Sequence, residues 1–160
     1  MNILRFLIKF LPENEAFVHC DIPCGIYDPY VAQRAAHTII RMTQLLMDLK
    51  TDDPKKMTHD ISRMTHVKEA HADLLEEELE TLRNDYFKEE HFKTYSNLNE
   101  LFIKTLKAAS KARQEINLEA ANDVLSGVLE IAEVFFKTKN VTPIRVKSVY
   151  PTGGEIVLHK

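Results

Sequence analysis

Asp28-Pro29-Tyr30-Val31-Ala32-Gln33-Arg34-Ala35-Ala36-His37-Thr38-Ile39 reads as the opening of a helix, and the rest of this 160-residue chain can be laid out from it. Asp28 is placed to accept hydrogen bonds from exposed backbone amides as an N-cap, and Pro29 suits the first helical position, where no amide hydrogen is needed. Ala32, Ala35, Ala36, Ile39, Met42, Leu46 and Leu49 then recur at three- and four-residue spacing until Asp52-Asp53-Pro54 breaks the pattern. This predicts a first helix from Pro29 to about Lys50.

Three more stripes follow. Ile61, Met64, Val67, His71, Leu75, Leu79, Leu82 and Tyr86 fall within a sector of roughly 120° at helical pitch, predicting a long second helix. His71 and Tyr86 are the polar members of that face, so each needs a hydrogen-bond partner inside. After a polar and aromatic connector, Asp85 to Phe92, a third helix carries Leu98, Leu101, Phe102, Thr105, Ala108, Ala109 and Ala112. Asn117 caps a fourth, whose apolar face runs from Leu118 to Phe136 with Gly127 as a tolerated weak point. Four amphipathic helices with short joints predict an all-α antiparallel four-helix bundle. From Val141 onward the period changes, and Pro151-Thr152-Gly153-Gly154 separates two short apolar runs, as in a β-hairpin or docking arm. An isolated hairpin is marginal in water, so it is expected to pack on the bundle or on another subunit.

Composition narrows the function classes. A formal net charge of -3 and no basic stripe argue against nucleic acid as a partner. The apolar run Ile3 to Leu11 is interrupted by Arg5 and Lys9 and is too short to span a bilayer, so no membrane anchorage is expected. Ala16 and Val18 only partly fit an export cleavage pattern. Residues 1–18 are read as a removable leader, 19–139 as the folded domain and 140–160 as a C-terminal extension.

Just ahead of the first helix stands His19-Cys20-Asp21-Ile22-Pro23-Cys24-Gly25-Ile26-Tyr27-Asp28-Pro29, which holds both cysteines of the chain. Cys-X3-Cys can be a disulfide in an oxidising compartment, or a metal or redox pair in a reducing one. A bridge closing so small a loop would stabilise little through loop entropy. If the leader is cut after Val18, His19 gains an α-amine, and amine, imidazole, backbone nitrogen and thiolate donors all lie within two residues. Nitrogen and thiolate donors in a plane suit Ni(II) or Cu(II), whereas structural zinc takes four tetrahedral side-chain ligands.

The loop resembles the N-terminal nickel hook of the nickel-dependent superoxide dismutases, His-Cys-Asp-X-Pro-Cys-Gly-X-Tyr-Asp-Pro, at every fixed position. The similarity continues through Asp85-Tyr86-Phe87-Lys88, His91-Phe92, Tyr95 and Thr105-Leu106-Lys107-Ala108, covering roughly residues 19–139. The resemblance implies a nickel ion ligated by His19, Cys20 and Cys24, cycling between Ni(III) and Ni(II) as superoxide is converted to dioxygen and hydrogen peroxide. It implies Tyr27 and Tyr86 above the metal, ordering water, gating small anions and assisting proton delivery. Asp21, Pro23 and Gly25 shape the hook, with the bond before Pro23 in the cis form in the family and Gly25 allowing a left-handed turn. Lys88 and Arg113 are candidates for steering an anionic substrate. The resemblance further implies a homohexamer, each hook held partly by neighbouring subunits, and a leader-processing protease. Reduced thiols favour a cytoplasmic location.

In two places the sequence departs from the family pattern. Where the family has a Glu and an Arg bonding the hook histidine, ungapped counting gives Ala35 and His71, and His71 is expected to take over part of that role. Two other classes compete with the dismutase. One is a nickel-binding or thiol-redox module without dismutase activity; the other is a helical interaction protein with a dead site. A nickel storage or chaperone site has no evident need for Tyr27 and Tyr86 above the metal.

Overall fold

The structure, a computed structural model, describes residues 24–160. The leader and His19, Cys20, Asp21 and Pro23 lie outside the described residues. What is described is mostly helical, with a small two-stranded sheet at the C-terminus. The elements are α1 (Tyr30–Met47), α2 (Pro54–Thr81), a π-helical turn (Leu82–Tyr86), α3 (Glu89–Thr94), α4 (Leu98–Gln114), α5 (Leu118–Thr138), β1 (Pro143–Lys147) and β2 (Glu155–His159). Among the long helices, α1 packs on α2 and α5, and α4 packs on α5 and α2.

Asn117 caps its helix as expected, Asp28 bonds the first helical amide with Pro29 rather than Asp28 at the cap position, and Asp53 is a further cap. Asp28 accepts from Tyr30 N at 2.5 Å, Asp53 accepts from Lys55 N and Lys56 N, and Asn117 accepts from Ala120 N at 2.9 Å. The core is built from the faces that the stripes define: Ala35, Ala36, Ile39, Leu75, Leu79, Phe102, Ala109, Val124, Val128 and Ala132 are all buried. The connector after Tyr86 contains a helix that periodicity did not reveal. Its six residues, α3, are too few to show a period.

The second stripe is buried only in its C-terminal half. Leu75, Leu79 and Leu82 are sealed, His71, Val67 and Met64 are half-buried, and Ile61 is 42% exposed. The reason lies in Lys68, a buried lysine whose Nζ donates to Ala112 O at 2.8 Å and Glu115 O at 2.5 Å. It caps the C-terminus of α4, where the negative end of the helix dipole favours a cation. Burial lowers the Lys68 pKa, and Glu69 and Glu115 oppose that fall. Helix α4 therefore ends beside Lys68, and the part of α2 before it has lost one of its two helical neighbours.

Gly127 is more than a tolerated weak point. A Cβ there would lie 2.0 Å from Thr105 Oγ1, so its missing side chain lets α4 and α5 approach. Beyond α5, Asn140 takes a left-handed conformation (φ 60°), a residue type suited to ending a helix that way. The chain then forms an antiparallel hairpin with Pro143 opposite His159 and Lys147 opposite Glu155. The hairpin packs on the helices. Val157 is buried, and Gln33 of α1 brackets its backbone, donating to Val157 O (3.1 Å) and accepting from Val157 N (2.6 Å). His37, one turn on, bonds Glu155 O (3.0 Å) and Thr152 Oγ1 (2.8 Å). Since a carbonyl only accepts, His37 Nε2 carries the hydrogen; in the neutral ring Nδ1 then accepts from the Thr152 hydroxyl, whose contact to Gly153 O is longer at 3.3 Å.

Candidate metal centre

Three chain segments meet in a cleft of about 340 Å³ lined by Gly25, Tyr27, Asp85, Tyr86, Lys88, His91 and Lys139. The loop before α1 brings Gly25 and Tyr27, the π turn and α3 bring Asp85 to His91, and the end of α5 brings Lys139. The π turn closes with Phe87 N donating to Leu82 O at 2.9 Å. Such a turn widens the helix by one residue, a feature common at functional sites. Here it delivers Tyr86 and Phe87 in succession, with Phe87 buried and Tyr86 at the cleft.

Tyr27 and Tyr86 come together with ring centroids 5.4 Å apart. Tyr86 also packs on Phe135 at 4.6 Å and on Phe87 at 5.0 Å, and His91 stacks on it at 5.9 Å with 19° between the planes. Its phenol lies 2.6 Å from Thr138 Oγ1, and the Thr138 hydroxyl is 2.7 Å from Phe135 O. With the Thr138 hydrogen committed to that carbonyl, the Tyr86 phenol is the donor to Thr138. His91 Nδ1 accepts from Lys88 N at 3.0 Å, so in the neutral ring the hydrogen sits on Nε2.

Charge in the cleft is net positive. Lys88 Nζ donates to Asp85 O at 2.8 Å, and Lys139 Nζ stands 4.8 Å from the Tyr86 ring centroid, a cation–π arrangement. Arg113 is elsewhere: it pairs with Asp73 (2.5 Å) and Glu76 (3.3 Å) of α2 and does not line the cleft. Burial raises the Glu76 pKa, and the Arg113 charge works against that rise. His71 is also away from the cleft, with Nδ1 donating to Val67 O at 2.8 Å, which leaves Nε2 as the acceptor of a neutral ring. Ala35 is fully buried in the core.

Cys24, one residue before the cleft-lining Gly25, is exposed, and its Sγ lies 3.4 Å from Ile26 N. Gly25 has φ 72°, the left-handed turn that glycine allows. Among the described residues no group of three or more His, Cys, Asp or Glu could hold a metal ion. His19 and Cys20, the sequence-predicted partners of Cys24, stand before the described residues. An accessible thiol, with an imidazole and a second thiol close by in the sequence, is a donor set that fits nickel.

Asp85, His91 and Lys139 of the cleft, and Thr138 bonded to the Tyr86 phenol, had no assigned role from sequence. Thr138 and Lys139 directly follow the apolar Phe135-Phe136 stripe with Lys137, and a polar run at a helix end marks exposure without naming what it faces.

The fold and cleft define a helical protein that presents a thiol-bearing loop to a tyrosine-lined, cationic cleft. The family model described as nickel-containing superoxide dismutase matches residues 14–139. The Superoxide dismutase [Ni] of Streptomyces coelicolor is 34% identical over 130 residues, covering 81% of this chain and 95% of that protein. Its counterpart from Streptomyces seoulensis is 32% identical over the same length and coverage. Among solved structures, native nickel superoxide dismutase superposes with a TM-score of 0.68 at 35% identity, covering 76% of this chain and 99% of that one. Nickel-containing superoxide dismutase with nickel ligation corresponding to the oxidised state gives 0.69 at 33% identity with the same coverage. The chain belongs to the nickel-containing superoxide dismutase family. It is thus a nickel-dependent enzyme acting on superoxide. Among the described residues no helix is long and apolar enough to cross a membrane.

Proposed function

We propose that this chain dismutes superoxide at a nickel hook made of His19, Cys20 and Cys24, matured by removal of residues 1–18 and carried on an antiparallel four-helix bundle spanning 19–139. The observation that carries this reading is the pairing of Tyr27 with Tyr86, 5.4 Å apart in a cationic cleft that begins one residue after Cys24. When bound by the two thiols, the His19 amine and imidazole and the Cys20 amide nitrogen, nickel supplies a one-electron Ni(III)/Ni(II) couple for the two half-reactions. Two superoxide anions and two protons give dioxygen and hydrogen peroxide.

The residues of the chain divide the remaining work. Lys88 and Lys139 attract the anion into the cleft, since both cations line it with Asp85 as the single carboxylate. Arg113 is spent on Asp73 and Glu76 and serves α2 and α4 packing instead. Tyr86 donates to Thr138, so toward the cleft its oxygen accepts, holding a water or protonated product in place. Tyr27, its neighbour, is the phenol that assists proton delivery. Asp21 and Pro23 shape the hook before Cys24, and Gly25 turns the chain out of it.

The same reading includes a homohexamer, a processing protease and a cytoplasmic location, where thiols stay reduced. Within the hexamer, His71 serves the His19 ring of a neighbouring chain. Its Nε2 has no partner among the described residues and, in the neutral ring, can accept a ring N–H. Nickel content and dismutation of Tyr27→Phe and Tyr86→Phe test the enzyme against a mere nickel binder. Retained nickel with lowered turnover supports the enzyme reading; unchanged turnover in both variants overturns the assigned roles.

A further inference from the structure

The hairpin that follows residue 139 lies beyond the family match and creates a second cleft with α1, of about 320 Å³. Arg34, His37, Thr38, Arg41 and Met42 supply one wall, and Tyr150, Pro151 and Thr152 of the hairpin turn supply the other. This cleft differs from the metal centre in its charge and its lining.

Arg34 and Arg41 are seven residues apart on α1, hence two turns and about 10 Å along one face. No acidic residue occurs anywhere in α1, and none of the cleft-lining residues is a carboxylate. Among the described residues neither Arg34 nor Arg41 makes an ion pair, and the Arg41 guanidinium donates to the neutral Gln44 Oε1 at 3.5 Å. His37 brings no charge when both its nitrogens are engaged as described, since Nδ1 then accepts from Thr152. Apart from Thr38 and Thr152, the remaining lining is largely apolar: Met42, Pro151 and the Tyr150 ring, the last braced edge-on against His37 at 4.9 Å and tied to Tyr30 through phenols 3.1 Å apart. The wall is also built firmly. Gln33 and His37 together pin the hairpin to α1 through four hydrogen bonds, so the cleft does not depend on a loop standing alone.

We propose that this cleft binds a small organic carboxylate, its apolar body lying on Met42, Pro151 and Tyr150 and its anionic head held by Arg34 and Arg41. Cavities of this size sit at the lower end of those that hold small molecules, and mostly apolar walls with a few polar groups are their usual make-up. Two cations without a local counter-ion supply the charge complementarity. A guanidinium binds a carboxylate through a paired fork of N–H donors.

Isothermal titration calorimetry on the full chain, with phenylacetate as probe, tests this. Acetate keeps the charge without the body, and phenethylamine keeps the body with the opposite charge. Saturable binding of phenylacetate, with neither control binding comparably, is expected. Arg34→Gln and Arg41→Gln should each weaken it about tenfold, and the double variant should abolish it. A charge-matched control at distant exposed sites, Lys55→Gln with Arg63→Gln, should bind as the parent does. Phenylacetate should also raise the melting temperature of the parent and not of the double variant, which reports folding and binding in one scan. No saturable binding of phenylacetate, equal binding of either control, or undiminished binding by the double variant overturns the proposal.

Discussion

The two ends of the first helix face sit against two different additions, and they are held by opposite means. Ahead of α1, the loop carrying Cys24, Gly25 and Tyr27 meets the π turn and the end of α5 mainly through rings and charges: Tyr27 on Tyr86, His91 on Tyr86, Lys139 over Tyr86. Along α1, the C-terminal hairpin is fixed by directed hydrogen bonds from buried polar side chains, Gln33 and His37, to its backbone. The first arrangement leaves exposed donors and a cationic opening, as a reactive centre must. The second leaves few polar groups unsatisfied and reads as architecture. Chemistry and stability should therefore come apart on mutation, the first region governing turnover and the second governing folding.

The sharpest separation is expected from Cys24→Ser. Losing a thiolate donor should cut dismutation more than about 100-fold, beyond the usual effect of disturbing a ligand's supporting partners, while thermal unfolding stays close to the parent's. A large loss of melting temperature would break the contrast. Gln33→Ala should do the reverse. Leaving Val157 N–H and C=O buried without partners costs about 1–3 kcal/mol, seen in denaturant unfolding, with nickel-loaded activity nearly unchanged.

A smaller effect is expected at Lys139. Lys139→Gln should lower kcat/KM several-fold, with the deficit shrinking as salt is added because steering is screened. A deficit independent of salt would assign Lys139 to packing on Tyr86 instead. The smallest effect concerns pH. Burial pushes His37 below its ordinary value of 6.5, against the pull of its bond to Glu155. The fold thus favours the neutral ring, so this contribution to hairpin docking is present above about pH 6.5 and is lost as pH falls through the lowered value. Protease cleavage in the Pro151–Gly154 turn should rise on acidification in the parent, and a His37→Gln variant should lack that added rise.

Much of the helical part was legible because period and caps agree. Asp28 and Asn117 each accept a backbone amide as expected of them, and the stripes from Ala32 and Leu118 are buried nearly throughout. The failures have physical causes. Ile61 stands exposed because helix α4 stops at Lys68, a tertiary fact that α2's own periodicity cannot contain. Gly127 looked like a weak helix former until Thr105 was seen to occupy the space of its Cβ.

At the site, Tyr27 and Tyr86 could be paired only through the family resemblance, since nearly sixty residues separate them. Thr138 and Lys139 were missed because neither residue type announces a phenol or a ring partner. The hairpin was expected from the change of period, but Gln33 and His37, its anchors, sit in a helix as two polar residues among many. Only burial distinguishes them, at 1% and 3% exposure.

One measurement bears most directly on the central claim: nickel binding and superoxide dismutation by protein beginning at His19, against the same protein still carrying residues 1–18. Activity and bound nickel confined to the trimmed form are predicted, because only that form has the His19 amine. Equal activity in the leader-carrying protein, or none in a trimmed protein that has taken up nickel, would contradict the account.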